Sequence, residues 1–138
     1  MLHVSSFQTH IHGNRHLVSG QFLFHERDVQ IQMMDSIIRK AKNISEGQQL
    51  EVVLLLHHCS SYSRYGMVTF FDELATVQCS KNGATQIIWG FEDDDMLELG
   101  QLLMERCGLQ FQFLNLGITS HPSSKSMAFP KWTDQACA

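Results

Sequence analysis

The chain has 138 residues, 43% of them hydrophobic and 17% charged, with a formal net charge of −4 at pH 7. Those proportions fit one globular domain around a single core and exclude wholesale disorder. Lys and Arg are too scattered to displace counterions from a phosphate backbone, no apolar run nears the roughly 20 residues of a bilayer span, and Met1–Ser5 lacks the blocks of a signal peptide, so neither nucleic acid nor membrane is an expected partner and the cytoplasm is the expected location.

Two strand-like runs, Val4 to Ile11 and Leu17 to Phe24, flank the turn residues His12-Gly13-Asn14 and predict an N-terminal β-hairpin. From Asp28 to Asn43, Val29, Met33, Ile37 and Ala41 recur every four residues with Met34 and Ile38 beside them, which predicts an amphipathic helix with Asp28 as its N-cap. After the polar loop 45–49, Leu50 to Leu56 is almost wholly apolar and reads as a central strand buried on both faces.

His57-His58-Cys59-Ser60-Ser61 follows, then a helix with Met67, Phe70, Phe71, Leu74 and Val77 on one side, capped by Ser60 or Ser61 and ending before Asn82-Gly83. Gln86 to Phe91 is another inner strand. The acidic run Glu92-Asp93-Asp94-Asp95 opens a helix to Cys107 that Gly108 stops, and Leu109, Phe111 and Phe113 alternate with glutamines in a last strand. Helices alternating with strands require crossovers of one hand and a largely parallel sheet, so the fold class is an α/β sandwich: an N-terminal hairpin, then helices and strands over a mixed, partly parallel sheet. The domain spans 1–116, and 117–138 reads as a flexible tail in which Phe129 and Trp132 are available to dock.

Cys59, Cys79, Cys107 and Cys137 form no Cys-x-x-Cys pair and read as reduced thiols. Cys59, Ser60 and Ser61 are the most informative group. Hydroxyls at the exit of a strand and the start of a helix lie beside unpaired backbone N–H groups, where a phosphate would be held and would change the surface a partner reads; the plain alternative is a helix cap. Glu92, Asp93, Asp94 and Asp95 diverge around a first helical turn, which favours a dipole-friendly or partner-facing surface over a Mg²⁺ site. His10 and His12 share one strand face, and His57, His58 and Cys59 lie together at a strand end, yet none matches a zinc spacing. No catalytic residue, metal or cofactor is assigned.

Two stretches resemble a known family, the SiaC-type biofilm-regulation phosphoproteins. Leu54-Leu55-Leu56-His57-His58-Cys59-Ser60-Ser61 is similar to that family's strand and its Tyr-x-Asn-Thr-Ser-Ser type loop. Ile88-Trp89-Gly90-Phe91-Glu92-Asp93-Asp94-Asp95-Met96-Leu97-Glu98-Leu99-Gly100 resembles its pattern of tryptophan, aromatic, acidic run, Met-Leu-Glu and Gly, the more specific match. The likeness covers roughly Leu50 to Leu114, with an echo at His25-Glu26.

The resemblance implies a STAS-like fold and a non-enzymatic switch in cyclic-di-GMP control. A kinase phosphorylates the loop threonine, a phosphatase reverses this, and the unmodified form binds and activates a diguanylate cyclase through a surface expected to include His57, His58 and Glu92 to Asp95. In this chain Cys59 stands at the acceptor threonine, His58 at the preceding asparagine and His57 at an aromatic. Three outcomes stay open: Ser60 or Ser61 takes the phosphate, the protein is a permanently unmodified activator, or the loop has turned to metal or thiol sensing by His57, His58 and Cys59. The same element order also resembles the STAS domains of anti-sigma-factor antagonists, and a homodimer stays open beside the partners named.

Overall fold

A computed structural model describes residues 6–45, 47–81 and 84–117. Phe7–His12 (β1) and Arg15–Phe22 (β2) pair antiparallel across a turn at Gly13, whose φ of 60° suits glycine, so the expected hairpin is present. Val4 and Ser5 lie outside the described residues. A short 3-10 turn, Phe24–Glu26, leads into α1, Arg27–Asn43. Helix geometry therefore starts before Asp28, and Glu26 stands at the N-cap position without a side-chain cap bond.

The buried side of α1 consists of Gln30, Met33, Met34, Ile37, Ile38 and Ala41. The expected stripe holds from Met33 onward, but Val29 is exposed and Gln30 faces the core in its place. The strand after it, Gln49–Cys59 (β3), is longer than its apolar run indicated and takes in both histidines. Ser61–Lys81 (α2), Ala84–Phe91 (β4), Asp94–Cys107 (α3) and Phe111–Asn115 (β5) complete the order. The Asn82-Gly83 stop lies outside the described residues. Gly108, at φ 79°, closes α3 by donating its backbone N–H to Met104 O at 2.9 Å. Leu109 is buried in the connection, two residues ahead of the strand it was expected to start.

The sheet runs β1-β2-β3-β4-β5; only the β1–β2 pair is antiparallel. Strands stepping one way across a sheet through crossovers of one hand place every connecting helix on one face. Burial agrees. Val18, Phe22, Val52, Leu54, Leu56, Ile87, Trp89, Phe111 and Phe113 form one core with Ile37, Met67, Phe71, Leu74 and Leu103 of the helices. Aromatic rings fill its centre, Phe71 lying 5.0 Å from Phe111.

No described element covers the opposite face, yet β3 is central and its residues Val52, Val53 and Leu54, which alternate between the two faces, are all buried. Leu17, Val53 and Ile88 sit side by side across β2, β3 and β4 on that face. Neighbouring side chains on a pleated sheet shield one another, and Val53 is only 9% exposed although no described element lies over it. The expected tail falls from residue 118 onward outside the described residues. Among those described, no helix is long and apolar enough to cross a membrane.

Candidate functional site

Parallel strands ending at one edge bring their following loops together there. The rim at the carboxyl ends of β2, β3 and β4 gathers the candidate residues. Strand alternation then decides which way each side chain points.

Cys59 is the last residue of β3 and pairs with Phe22 on β2, whose side chain is in the core. Its side chain therefore turns inward: Cys59 is 2% exposed, with Sγ 3.6 Å from Met67 Sδ. Burial pushes the thiol pKa up to about 12, only partly opposed by the nearby Arg64 guanidinium. Such a sulfur is neither a ready nucleophile nor a ready metal ligand. His57 and His58 are exposed, and His57 Nδ1 lies 2.8 Å from Glu92 Oε1, in the ladder row beyond the Leu55–Gly90 pair. The three residues of the metal or thiol reading thus do not converge, and among the described residues no group of three or more His, Cys, Asp or Glu is placed to hold a metal.

Ser60 and Ser61 take different roles. The Ser60 backbone N–H donates to Phe22 O at 2.9 Å, fixing the start of α2 against β2. Its Oγ accepts from the Ser63 backbone N–H at 3.2 Å, the expected N-cap bond, and donates to Ser63 Oγ at 2.9 Å. Ser63 Oγ donates to Gln30 Oε1 at 2.7 Å, and Gln30 Nε2 donates to Leu23 O at 2.8 Å. Gln30 is 0% exposed, and both its amide nitrogen and its amide oxygen are bonded in this chain. Polar groups sealed away from water must be satisfied in this manner, so the relay locks the loop after β2, α1 and the start of α2 together. Ser61, the first residue of α2, is exposed.

The acidic run divides as well. Glu92 pairs with His57, while Asp93 caps α3, its Oδ1 accepting from the Met96 N–H at 2.9 Å. Asp94 and Asp95 occupy the exposed first turn, where their charge complements the helix dipole. Trp89, Met96 and Gly100 are structural. Trp89 Nε1–H donates to Met96 O at 2.8 Å, and a Cβ added at Gly100 would come within 2.5 Å of that indole nitrogen. Only glycine lets α3 lie this close to the tryptophan.

Sequence periodicity did not mark an aromatic group beside the rim. Phe24 and Tyr62 are about half exposed with ring centroids 4.6 Å apart, Arg27 lies 5.8 Å from the Phe24 centroid, and Tyr65 is 75% exposed. Tyr62 and Tyr65 fall outside the inward stripe of α2, and that displacement was the available signal. Glu26, buried, accepts the Ser6 backbone N–H with both carboxylate oxygens at 2.9 and 3.1 Å and ties the start of β1 to the same edge.

The fold and its rim define a small α/β domain, one sheet with helices on one face and an exposed serine at the mouth of a capped helix. The chain belongs to the SiaC family of regulatory phosphoproteins, whose model matches residues 20–116. Among solved structures it is similar to a chain of the crystal structure of the diguanylate cyclase SiaD in complex with its activator SiaC from Pseudomonas aeruginosa. The TM-score is 0.59 at 16% identity, over 83% of this chain and 99% of that one. A likeness at that identity speaks for the fold. No curated protein sequence matches the chain.

Proposed function

We propose that this protein is a non-enzymatic cytoplasmic regulator that binds a diguanylate cyclase, and that Ser61 is the hydroxyl through which a kinase and a phosphatase switch it. The carrying observation is the family match over residues 20–116, which encloses the rim where Ser61 is presented. The solved complex of SiaD with its activator SiaC supports a cyclase as the partner class.

Side-chain placement favours Ser61 over its neighbours. Cys59 has no hydroxyl and is sealed in the core, and the Ser60 oxygen is committed to the cap. Ser61 stands free of both demands. A phosphate there adds nearly two negative charges at the positive end of a 21-residue helix, with Arg64 three residues on. It would be stabilised locally while altering the surface that His57, His58, Glu92, Asp94 and Asp95 share with the aromatic group.

The test has two parts. Intact-mass and peptide mapping after co-expression with the cognate kinase is expected to place one phosphate on Ser61 and none on the Ser61→Ala variant. Binding to the purified cyclase is expected to weaken about tenfold or more in Ser61→Glu, a loss of roughly 1.4 kcal/mol. Phosphate on another residue would remove Ser61 as the switch, and no phosphate would leave a permanently unmodified binder. Absence of any cyclase binding by the unmodified chain would remove the function itself.

A further inference from the structure

Away from the rim, α1 and α2 part to leave a cleft of about 210 Å³. Met34, Ile38 and Phe70 contribute its apolar lining, and Gly66 opens it because no side chain projects there; a Cβ at that position would meet only Met34 Cε, at 3.4 Å. Two carboxylates, Asp35 on α1 and Glu73 on α2, also line it. Both are exposed, and neither has a basic partner among the described residues. Cofactor and drug sites usually begin near 300 Å³. This cleft is smaller and has the size and shape to take individual side chains.

We infer that the α1–α2 cleft is a docking groove for an amphipathic helix of the partner protein, a helix with an apolar stripe and Lys or Arg beside it. An apolar floor with an opening at glycine accepts side chains of a helix laid along it, read at three- and four-residue spacing. The unpaired carboxylates fix the charge of the occupant: a basic flank gains two ion pairs and an acidic one meets repulsion. The groove leads toward the switch. Tyr62 lies one turn before Gly66 on the same face of α2, and Ser61 lies five residues before it, about 7.5 Å along the axis at 1.5 Å per residue and turned to another side of the helix, so the groove runs toward the rim through Tyr62. The inference names the docking surface for the protein-binding function proposed above and rests on that reading for its biological partner.

A probe independent of the cyclase tests it. A fluorescein-labelled helical peptide of about five turns (~18 residues), with leucines at three- and four-residue spacing and flanking lysines, is titrated against the full chain beside a twin carrying glutamates. The lysine peptide is expected to bind and the glutamate peptide to fail. Gly66→Leu, which fills the opening, and Asp35→Lys/Glu73→Lys are each expected to weaken the lysine peptide about tenfold or more. The charge-reversed variant is expected to gain binding to the glutamate peptide. Asp35→Lys alone, a surface change that leaves the core untouched, serves where the double variant or Gly66→Leu loses its helical circular dichroism, with a smaller loss expected in the same direction. Equal binding of both peptides, binding of neither, or indifference to all of these variants would overturn the groove. In parallel, wild type and Gly66→Leu are compared on the cyclase. Wild-type binding with no effect of Gly66→Leu also counts against the groove, whereas no wild-type binding strikes the cyclase reading and leaves the peptide result standing.

Discussion

Replacing Gly100 by alanine tests whether the tryptophan, methionine and glycine pattern is packing or recognition. Glycine to alanine inside a helix normally stabilises by roughly 0.5–1 kcal/mol, because alanine loses less backbone freedom on folding. At Gly100 the new methyl would lie 2.5 Å from Trp89 Nε1, 2.6 Å from its Cδ1 and 2.9 Å from Phe113 Cε1, all well inside contact distance. Overpacking of a filled core costs about 1–3 kcal/mol. The indole cannot retreat freely either, because its N–H is held by Met96 O at 2.8 Å. The net expectation is a loss of about 1–2 kcal/mol, or roughly 4–8 °C in Tm for a domain of this size. Gly66→Ala is the internal control, since its methyl meets only the flexible end of Met34 at 3.4 Å; there the helix term wins, and a gain of up to about 1 kcal/mol is expected. Urea denaturation followed by far-ultraviolet circular dichroism measures both. A Gly100→Ala protein as stable as wild type would refute the packing account and make Trp89, Met96 and Gly100 candidates for recognition.

Three further outcomes follow from buried polar groups. His16 is 2% exposed with Nδ1 unpartnered, and burial, with the Lys40 charge second, lowers its pKa below the usual 6.5. A base held neutral in the fold but free to protonate when unfolded leaves stability intact above about pH 6.5 and erodes it as pH falls toward the folded pKa; the urea midpoint should therefore drop between about pH 7.5 and 5.5, and part of that drop should vanish in His16→Leu. Cys59, with its pKa near 12, should resist iodoacetamide in the native protein while exposed Cys79 reacts, with peptide mass mapping as the readout; equal labelling of the two would disprove the sealed thiol. Gln30→Leu removes the acceptor of the Ser63 hydroxyl and one of two donors to Leu23 O, which keeps the Glu26 N–H, and should cost about 1–3 kcal/mol, more than Ser63→Ala, which removes a relay member but leaves the Gln30–Leu23 bond in place.

Periodicity carried most of the architecture. The stripe of α2 from Met67 to Val77, the turn at Gly13 and the stop at Gly108 each depend on local preference, and each lies where the residues put it. Layering was less legible. An apolar run such as Leu50 to Leu56 looks the same whether a second layer covers it or whether Leu17, Val53, Leu55 and Ile88 shelter one another on an open face. Gln30 escaped notice for a related reason: a polar residue one position off an apolar stripe reads as solvent-facing unless its hydrogen-bond partners, Ser63 and the Leu23 carbonyl, are known to lie opposite. At the site, residue type and position located the rim, whereas the strand continuing through Cys59 set the direction of each side chain.

That last dependence bears on the switch proposed at Ser61. Every second residue of a strand points to the same face, so the residue paired with Phe22 at the end of β3 is committed to the core, and here it is a cysteine. A modifiable group at Cys59 would need the strand end to peel from β2, breaking the Ser60–Phe22 backbone bond and exposing the sulfur now packed on Met67. Ser61, by contrast, is reached without disturbing the Ser60–Ser63–Gln30 relay. With a cysteine sealed at residue 59, accessible hydroxyl chemistry moves two positions along the chain, onto the helix whose flank borders the α1–α2 groove. Under the proposed function, a charge added there changes the surface a partner meets without asking the core to open, so its effect is expected in partner affinity, with the unfolding midpoint nearly unchanged.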